Sequence, residues 1–273
     1  MKKIIILVFV VFLFVECTTV PITGRSRLNL VSDSQVLPTS FAQYKGFLAE
    51  NKVSTNRKMT NQIKEVVKNI SAAVDRFMRA NDMVSEADSY RWEFNLIEDK
   101  TVNAWCMPGG KVVFYTGIMP ICDNVNGVAA VMGHEVAHAF AKHGQERMTS
   151  SYGQQIGGLL VALGTSNKDP KTQQIWNTAF GVTSGLTVLK FSRTHEQEAD
   201  RLGLVFMLMA GYDGTEAAEV WVRMSEKSGG SSTPQILSTH PSNASRIQDL
   251  KSYLPTAKMY AKKYNQPLSS SKK

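Results

Sequence analysis

The sequence predicts an α+β chain, mainly helical, with a small antiparallel sheet beside one buried helix. Three observations carry that expectation. Apolar residues recur at helical spacing in several long stretches. Three short segments, 92–97, 101–104 and 111–115, read as strands instead, with Pro108-Gly109-Gly110 turning between the last two. The stretch from Gly127 to Met148 holds no proline and is dense in small and apolar residues, as a helix packed on most sides should be.

The elements follow in chain order. Lys2 and Lys3 precede an uncharged apolar run from Ile4 to Val15, 12 residues long. A membrane span needs about 20, so residues 1–16 read as a secretory signal. Residues 17–32 are expected to form an extended tether, and residues 33–265 the folded domain. A helix is expected from Gln35 to Asn51, interrupted near Pro38. Thr60–Arg79 is an amphipathic helix with Ile63, Val66, Val67, Ile70, Val74, Phe77 and Met78 on one stripe, a core face. Trp92–Ile97, Thr101–Ala104 and Lys111–Tyr115 form the sheet. The glycines spread through Ser150–Lys190 suggest an inserted helical hairpin at 150–190, a candidate lid. Further helices are expected at Ala199–Ala210, ending at Gly211, at Thr215–Lys227 and at about 243–253. Residues 266–273 read as a disordered tail.

Composition narrows the function. The chain has 31 Lys+Arg against 23 Asp+Glu, a net charge of +8. No aromatic-interleaved basic patch or reader motif accompanies that charge, so no nucleic-acid partner is expected. Attraction to anionic lipid or to acidic substrates fits better. Cys106 and Cys122 could pair in an oxidising compartment or serve as small buried residues.

The chemistry is concentrated in His134-Glu135-Val136-Ala137-His138. On a helix, residues four apart share a face, so both imidazoles can bind one Zn²⁺ while Glu135 reaches a water beside it. That is the working part of a metal-dependent peptide hydrolase. A catalytic zinc needs a third protein ligand. The metzincin pattern would put it at position 144, which is Gly144. His143 falls about 180° around a continuous helix from His134, so it is expected to pack beside the ligands. Glu196 and Asp200 offer an alternative, four apart on a second helix. One carboxylate can ligate while the other accepts the ring N–H of a ligand His. His195 is a competing ligand, Glu198 points away from Glu196, and the whole run could be a solvated charged face.

Four segments together resemble a known family: HEVAH at 134–138, SRTHEQEAD at 192–200, NAWCMPGGKVVFYTG at 103–117 and THPSNASRI at 239–247. They are similar to the membrane-associated gluzincin peptidases, zincin-like enzymes of the HtpX, CAAX prenyl-protein, Oma, BepA and LoiP types. Lacking a run of helical repeats after the peptidase segment, the chain is closer to the stand-alone LoiP-like lipoprotein type. The resemblance implies that Glu196 is the third zinc ligand and that Asp200 orients a ligand His. It implies that Asn103, Ala104 and Trp105 line the substrate cleft. It also implies that His240 faces the metal, as an oxyanion donor or as an occluding group. Cys17 precedes a TVPITGR-like stretch and is expected to be the lipidated N-terminus.

The implied protein is a zinc endopeptidase with one Zn²⁺, Glu135 as its base, and Asp200 and His240 in supporting catalytic roles. Its expected substrates are misfolded or unassembled envelope proteins. Its expected place is the outer membrane, facing the periplasm. The rival reading is a chaperone-like holder of envelope proteins with little proteolysis. A soluble aminopeptidase is a further rival, but no amine-binding acidic cluster is evident near the motif.

Overall fold

The computed structural model describes residues 16–29, 31–150, 191–228, 236–240 and 244–265. The apolar signal run, the body of the expected 150–190 hairpin and the 266–273 tail lie outside the described residues. The chain begins with β1 (Glu16–Thr19) and β2 (Ser26–Asn29), an antiparallel pair. The stretch expected as an extended tether is thus a hairpin. Val20 at its turn is fully buried in the main core, which holds the hairpin to the body.

Helix α1 (Asp33–Glu50) runs through Pro38 without interruption. Its capping box joins Ser32 and Gln35, and this fixes the helix start despite the proline. Helix α2 (Arg57–Ala80) follows, with the amphipathic stripe buried as its spacing predicts. A short helix, α3 (Val84–Ser89), leads into the sheet.

The sheet has β3 (Glu93–Ile97), β4 (Ala104–Met107) and β5 (Lys111–Tyr115) in the order β3-β5-β4. It is mixed, not purely antiparallel: β4 pairs antiparallel with β5, but β3 pairs parallel with β5. The chain leaves β3, passes to the far edge as β4, then returns into the middle through a tight turn. Gly109 and Gly110 make that turn at φ 81° and 82°, where a side chain would be strained. The outer edge of β4 is left without a strand partner among the described residues.

Helix α4 (Met119–Cys122) leads to the central helix α5 (Val125–Phe140), which carries the HEVAH segment. Then come α6 (Arg193–Met209), α7 (Glu216–Ser228), α8 (Ile236–Thr239) and α9 (Ala244–Tyr264). Helix α9 extends past Tyr253 and tolerates Pro255 in its interior. Phe77 of α2, Phe140 of α5 and Phe206 of α6 meet edge to face at 5.3–5.6 Å between ring centroids, joining the three helices in one core. Among the described residues, no helix is long and apolar enough to cross a membrane.

Helix α5 ends earlier than its composition suggests. The sequence predicts a helix to Met148, but Lys142 turns to φ 58° and the helix stops. Lys142 is held there by Asp33 at 2.7 Å and Glu86 at 3.0 Å. A new helical stretch occupies 143–150. The break swings His143 back towards α5.

The crossing of α5 and α6 sets the distance between the two site motifs. It is built on a pair of glycines. A Cβ on Gly203 would lie 2.7 Å from the Gly133 carbonyl carbon and from the His134 nitrogen. Gly203→Ala must therefore push the helices apart at the residue next to His134. The expected result is a loss of ~1–3 kcal/mol of stability, read by thermal unfolding, together with weaker zinc binding. An unchanged melting temperature would show that the crossing relaxes without cost.

Candidate metal centre

Each half of the centre is placed by a helix terminus or face. On α5, His134 and His138 sit one turn apart and both are buried, as is Glu135 between them. On α6, Ser192 caps the helix by accepting from the backbone N–H of His195 at 3.1 Å. That cap puts Glu196 in the first turn, where the helix dipole favours a negative charge. From the other side, His240 follows α8 and is also buried.

Four ligand atoms converge. Nε2 of His134 and Nε2 of His138 lie 3.1 Å apart. Oε1 of Glu196 is 3.4 Å from His138 Nε2, and its other oxygen is 3.6 Å from His134 Nε2. His240 Nδ1 lies 3.3 Å from His134 Nε2 and 2.9 Å from Glu196 Oε1. Together, His134, His138, Glu196 and His240 form a buried group with one ligand atom each within 4.8 Å of one another. Ligands bound tetrahedrally at zinc distances lie about 3.3 Å apart. The donor set and its spacing therefore fit a zinc ion. A further sign is Oε1 of Glu135, which is buried and has no hydrogen-bond partner among the described residues. His240 Nε2 lies 3.8 Å from it.

The ring nitrogens facing away from the centre have polar neighbours. His134 Nδ1 faces Asp200 Oδ1 at 2.9 Å. His138 Nδ1 lies 2.9 Å from Nδ1 of His143, whose Nε2 lies 2.8 Å from Glu198 Oε2. The α5 break thus turns His143 from a residue on the far side of a helix into a direct neighbour of His138. His195 does not join the main group. It stacks on His143 at 4.3 Å between centroids and contacts Glu146 at 3.2 Å.

The electrostatics follow from burial. Burial, with the nearby Glu196 charge adding to it, raises the Glu135 carboxyl above its ordinary value, against His240 and His134. Burial would also raise Glu196, but hydrogen bonds with His138 and His240 hold it far below the carboxylate range. His138 is pushed well down by burial, and His143 falls to about 4 for the same reason. For His240, burial is outweighed by Glu135 and Glu196, so its value rises. The lowered value keeps the His138 imidazole an acceptor towards a cation.

Several working residues escaped the sequence reading. Arg246 on α9 donates from Nε and Nη2 to the two oxygens of Asp200, each at 2.7 Å, and its Nη1 lies 2.7 Å from Glu196 Oε2. Its guanidinium also covers the Trp221 ring at 3.9 Å. Arg246 lies inside the THPSNASRI segment, so the signal was present without a role attached. Glu198, read as pointing away, is buried against Thr23, Arg25 and His143. Phe191 rests on His138 at 4.0 Å between centroids.

A cleft of about 280 Å³ opens in front of the centre. Asn103–Pro108 of the β4 edge line one wall, and Glu135, His138 and His240 line the floor. Asn103 extends the β4 pairing by accepting from the Tyr115 N–H at 3.1 Å, while its side chain accepts from the Ala104 N–H at 3.0 Å. Ala104 faces the core. The Trp105 ring stands edge-on to Phe47 at 5.0 Å. In the described structure Cys106 and Cys122 are free thiols.

The salt bridges around this centre make an acid-lability prediction. For Glu146, burial favours the neutral form, but His195 and Arg25 hold its pKa down to about 2, from an ordinary 4.5. A depressed carboxylate stabilises the fold fully above its unfolded value and loses that effect as pH falls through its folded value. The stabilisation is therefore complete above about 4.5 and fades towards about 2. Melting temperatures measured from neutral pH downwards should fall less steeply in Glu146→Gln than in the wild type. An identical acid slope would show that this pairing adds nothing.

A mainly helical domain with a small mixed sheet and a buried HExxH-plus-carboxylate centre defines a zinc metallopeptidase of the zincin type. Comparison with known proteins gives the family. The model for peptidase family M48 matches residues 58–254, and the chain belongs to that family. It is 31% identical over 253 residues to mitochondrial metalloendopeptidase OMA1 of Schizosaccharomyces pombe, covering 91% of this chain and 70% of that protein. The same-named protein of Saccharomyces cerevisiae is 30% identical over 256 residues, 90% of this chain and 71% of that one. The beta-barrel assembly-enhancing protease of Escherichia coli (strain K12) is 28% identical over 179 residues, 62% of this chain and 36% of that one. The chain is a zinc metalloendopeptidase. The expected outer-membrane, periplasm-facing location is overturned: the relatives matching nine-tenths of the chain are mitochondrial metalloendopeptidases, and the bacterial match covers a smaller share.

Proposed function

We propose that the chain cleaves internal peptide bonds of unfolded or unassembled proteins, with His134, His138 and Glu196 holding zinc. The observation that supports this is the convergence of two Nε2 atoms and a carboxylate on one buried point beside Oε1 of Glu135, which has no partner among the described residues. Zinc, when bound, supplies Lewis-acid polarisation of the scissile carbonyl and lowers the pKa of water. Glu135 takes the proton of the attacking water on Oε1 and hands it to the leaving amine. Asp200 holds His134 in the tautomer whose Nε2 faces the centre. The substrate lies extended along Asn103, Ala104 and Trp105 and adds to the open β4 edge through main-chain hydrogen bonds. Such recognition is indifferent to side chains, which suits unfolded substrates.

His240 has two candidate roles, and its position favours one. Its Nδ1 lies among the ligand atoms, closer to Glu196 and His134 than its Nε2 lies to Glu135. We propose that His240 would help to hold zinc at rest and, when substrate enters, would donate to the developing oxyanion. We also propose that an acylated Cys17 tethers the chain to a membrane. Cys17 lies in β1, paired with Leu28 of β2, so such an anchor would hold the domain close to the lipid surface. Mass spectrometry of the N-terminal peptide tests that point, and an unmodified Cys17 refutes it.

The reading as a whole is tested with end-blocked peptides and casein. Cleavage should disappear when zinc is stripped by chelation and return on adding zinc back. Cleavage that survives complete zinc removal would sink it.

A further inference from the structure

Beyond the ligands themselves, a second chain of contacts leads away from the centre. His138 Nε2 faces the metal position, so its proton sits on Nδ1 and is donated to Nδ1 of His143, at 2.9 Å. His143 must then be bare at Nδ1 and protonated at Nε2, which donates to Glu198 Oε2 at 2.8 Å. Glu198 is buried. It accepts from Arg25 Nε at 2.8 Å on one oxygen and from the Thr23 hydroxyl on the other. Arg25 is itself held by both oxygens of Glu146, at 2.8 and 2.7 Å. Every donor in this series meets an acceptor, so the tautomers are fixed from Arg25 to His138. Thr23 and Arg25 belong to the turn between β1 and β2, some 170 residues from Glu198 in sequence.

From this geometry we infer that the N-terminal hairpin is a working part of the zinc centre: Thr23 and Arg25, acting through Glu198 and His143, position His138. The arrangement mirrors Asp200 and Arg246 on His134. One ligand is supported by a carboxylate directly, the other by a carboxylate through an imidazole. Each carboxylate is anchored in turn by an arginine. The difference is where that arginine resides. Arg246 sits on a core helix, whereas Arg25 sits on a hairpin at the start of the described chain. Displacing the hairpin would remove the donors of Glu198 and let the His143 and His138 rings turn. This inference rests on His138 being a zinc ligand.

The test uses the full chain and reads zinc affinity by chelator competition, with the visible spectrum of the cobalt-substituted protein as a second readout. His143→Gln and Glu198→Gln should weaken zinc binding by roughly 10–100-fold, the usual effect of losing a group that orients a metal ligand. Arg25→Gln and the milder Thr23→Val should weaken it by a smaller factor and shift the cobalt bands, and Arg25→Lys should recover part of the loss. Glu146→Gln loosens the outer anchor of Arg25, so it should lower the melting temperature and weaken zinc binding no more than Arg25→Gln does. The proposal is overturned if folded Arg25→Gln, Thr23→Val and Glu198→Gln keep wild-type affinity and cobalt spectrum. It is equally overturned if Glu146→Gln weakens zinc as much as Glu198→Gln does. Failure of the underlying ligand assignment looks different: His138→Ala would then bind zinc as the wild type does.

Discussion

Glu135→Gln should lower kcat for casein or an end-blocked peptide by ~10²–10⁴-fold, the range that positioned acid–base groups contribute. Zinc content should stay at one per chain, because no ligand atom is altered. The reasoning starts from burial. Glu135 has both a raised carboxyl pKa and an oxygen without a partner among the described residues, Oε1, with His240 3.8 Å away. A buried carboxylate left in that state costs stability, and a catalytic base is what would compensate for it. Gln keeps the shape and removes the basicity. The melting temperature should therefore hold or rise, while activity falls. KM should change little, because the substrate is held by the β4 edge and the fall lies in the chemical step. Cleavage at the wild-type rate by a zinc-loaded Glu135→Gln protein would remove Glu135 from the mechanism.

Most of the ligand-bearing half of this centre was legible because it is local. HEVAH needs only helical periodicity to put two imidazoles on one face, and the same rule puts Glu196 and Asp200 on one face of a second helix, while the separate roles expected of those two came from the family resemblance. The stripe of α2 was readable for the same reason. What escaped the sequence is non-local. The sheet was expected to be antiparallel because consecutive strands with a Gly-Gly turn suggest a meander. The insertion of β5 between β3 and β4 depends on which neighbours bury its apolar run, and nothing in a local window specifies that. The end of α5 was missed because Lys142 has no sequence mark for positive φ. Its conformation is set by Asp33 and Glu86, from α1 and α3. His143 could not be assigned its place without that break. Arg25, Glu198 and Arg246 are ordinary charged residues in sequence, and burial alone makes them informative.

Arg246→Met should be the most destabilising of the substitutions considered, costing ~3–5 kcal/mol, as breaking a buried ion pair does. Arg246 is the cation shared by Asp200 and Glu196, and it is almost wholly buried, as they are. The methionine fills much of the stem volume and can still pack on Trp221, so the loss is chiefly of charge and hydrogen bonds. Removing Arg246 leaves two buried carboxylates about the same point with only imidazoles to oppose them. The sign of the pKa effect agrees. The Asp200 carboxyl, which burial would raise, is held down by Arg246 first and His134 second. Without the guanidinium it should move up towards protonation. A neutral Asp200 accepts poorly from His134, so ligand orientation should suffer with stability. Zinc can replace part of the missing positive charge. The deficit should therefore be larger in the zinc-free protein than in the loaded one, since a ligand stabilises the state that binds it. At about 2–4 °C per kcal/mol for a domain of this size, the zinc-free protein should melt on the order of 10 °C lower. Arg246→Lys keeps the charge but cannot fork to both carboxylates, so it should fall in between. Equal melting temperatures for the wild type and Arg246→Met without zinc would mean that the two carboxylates do not depend on this arginine.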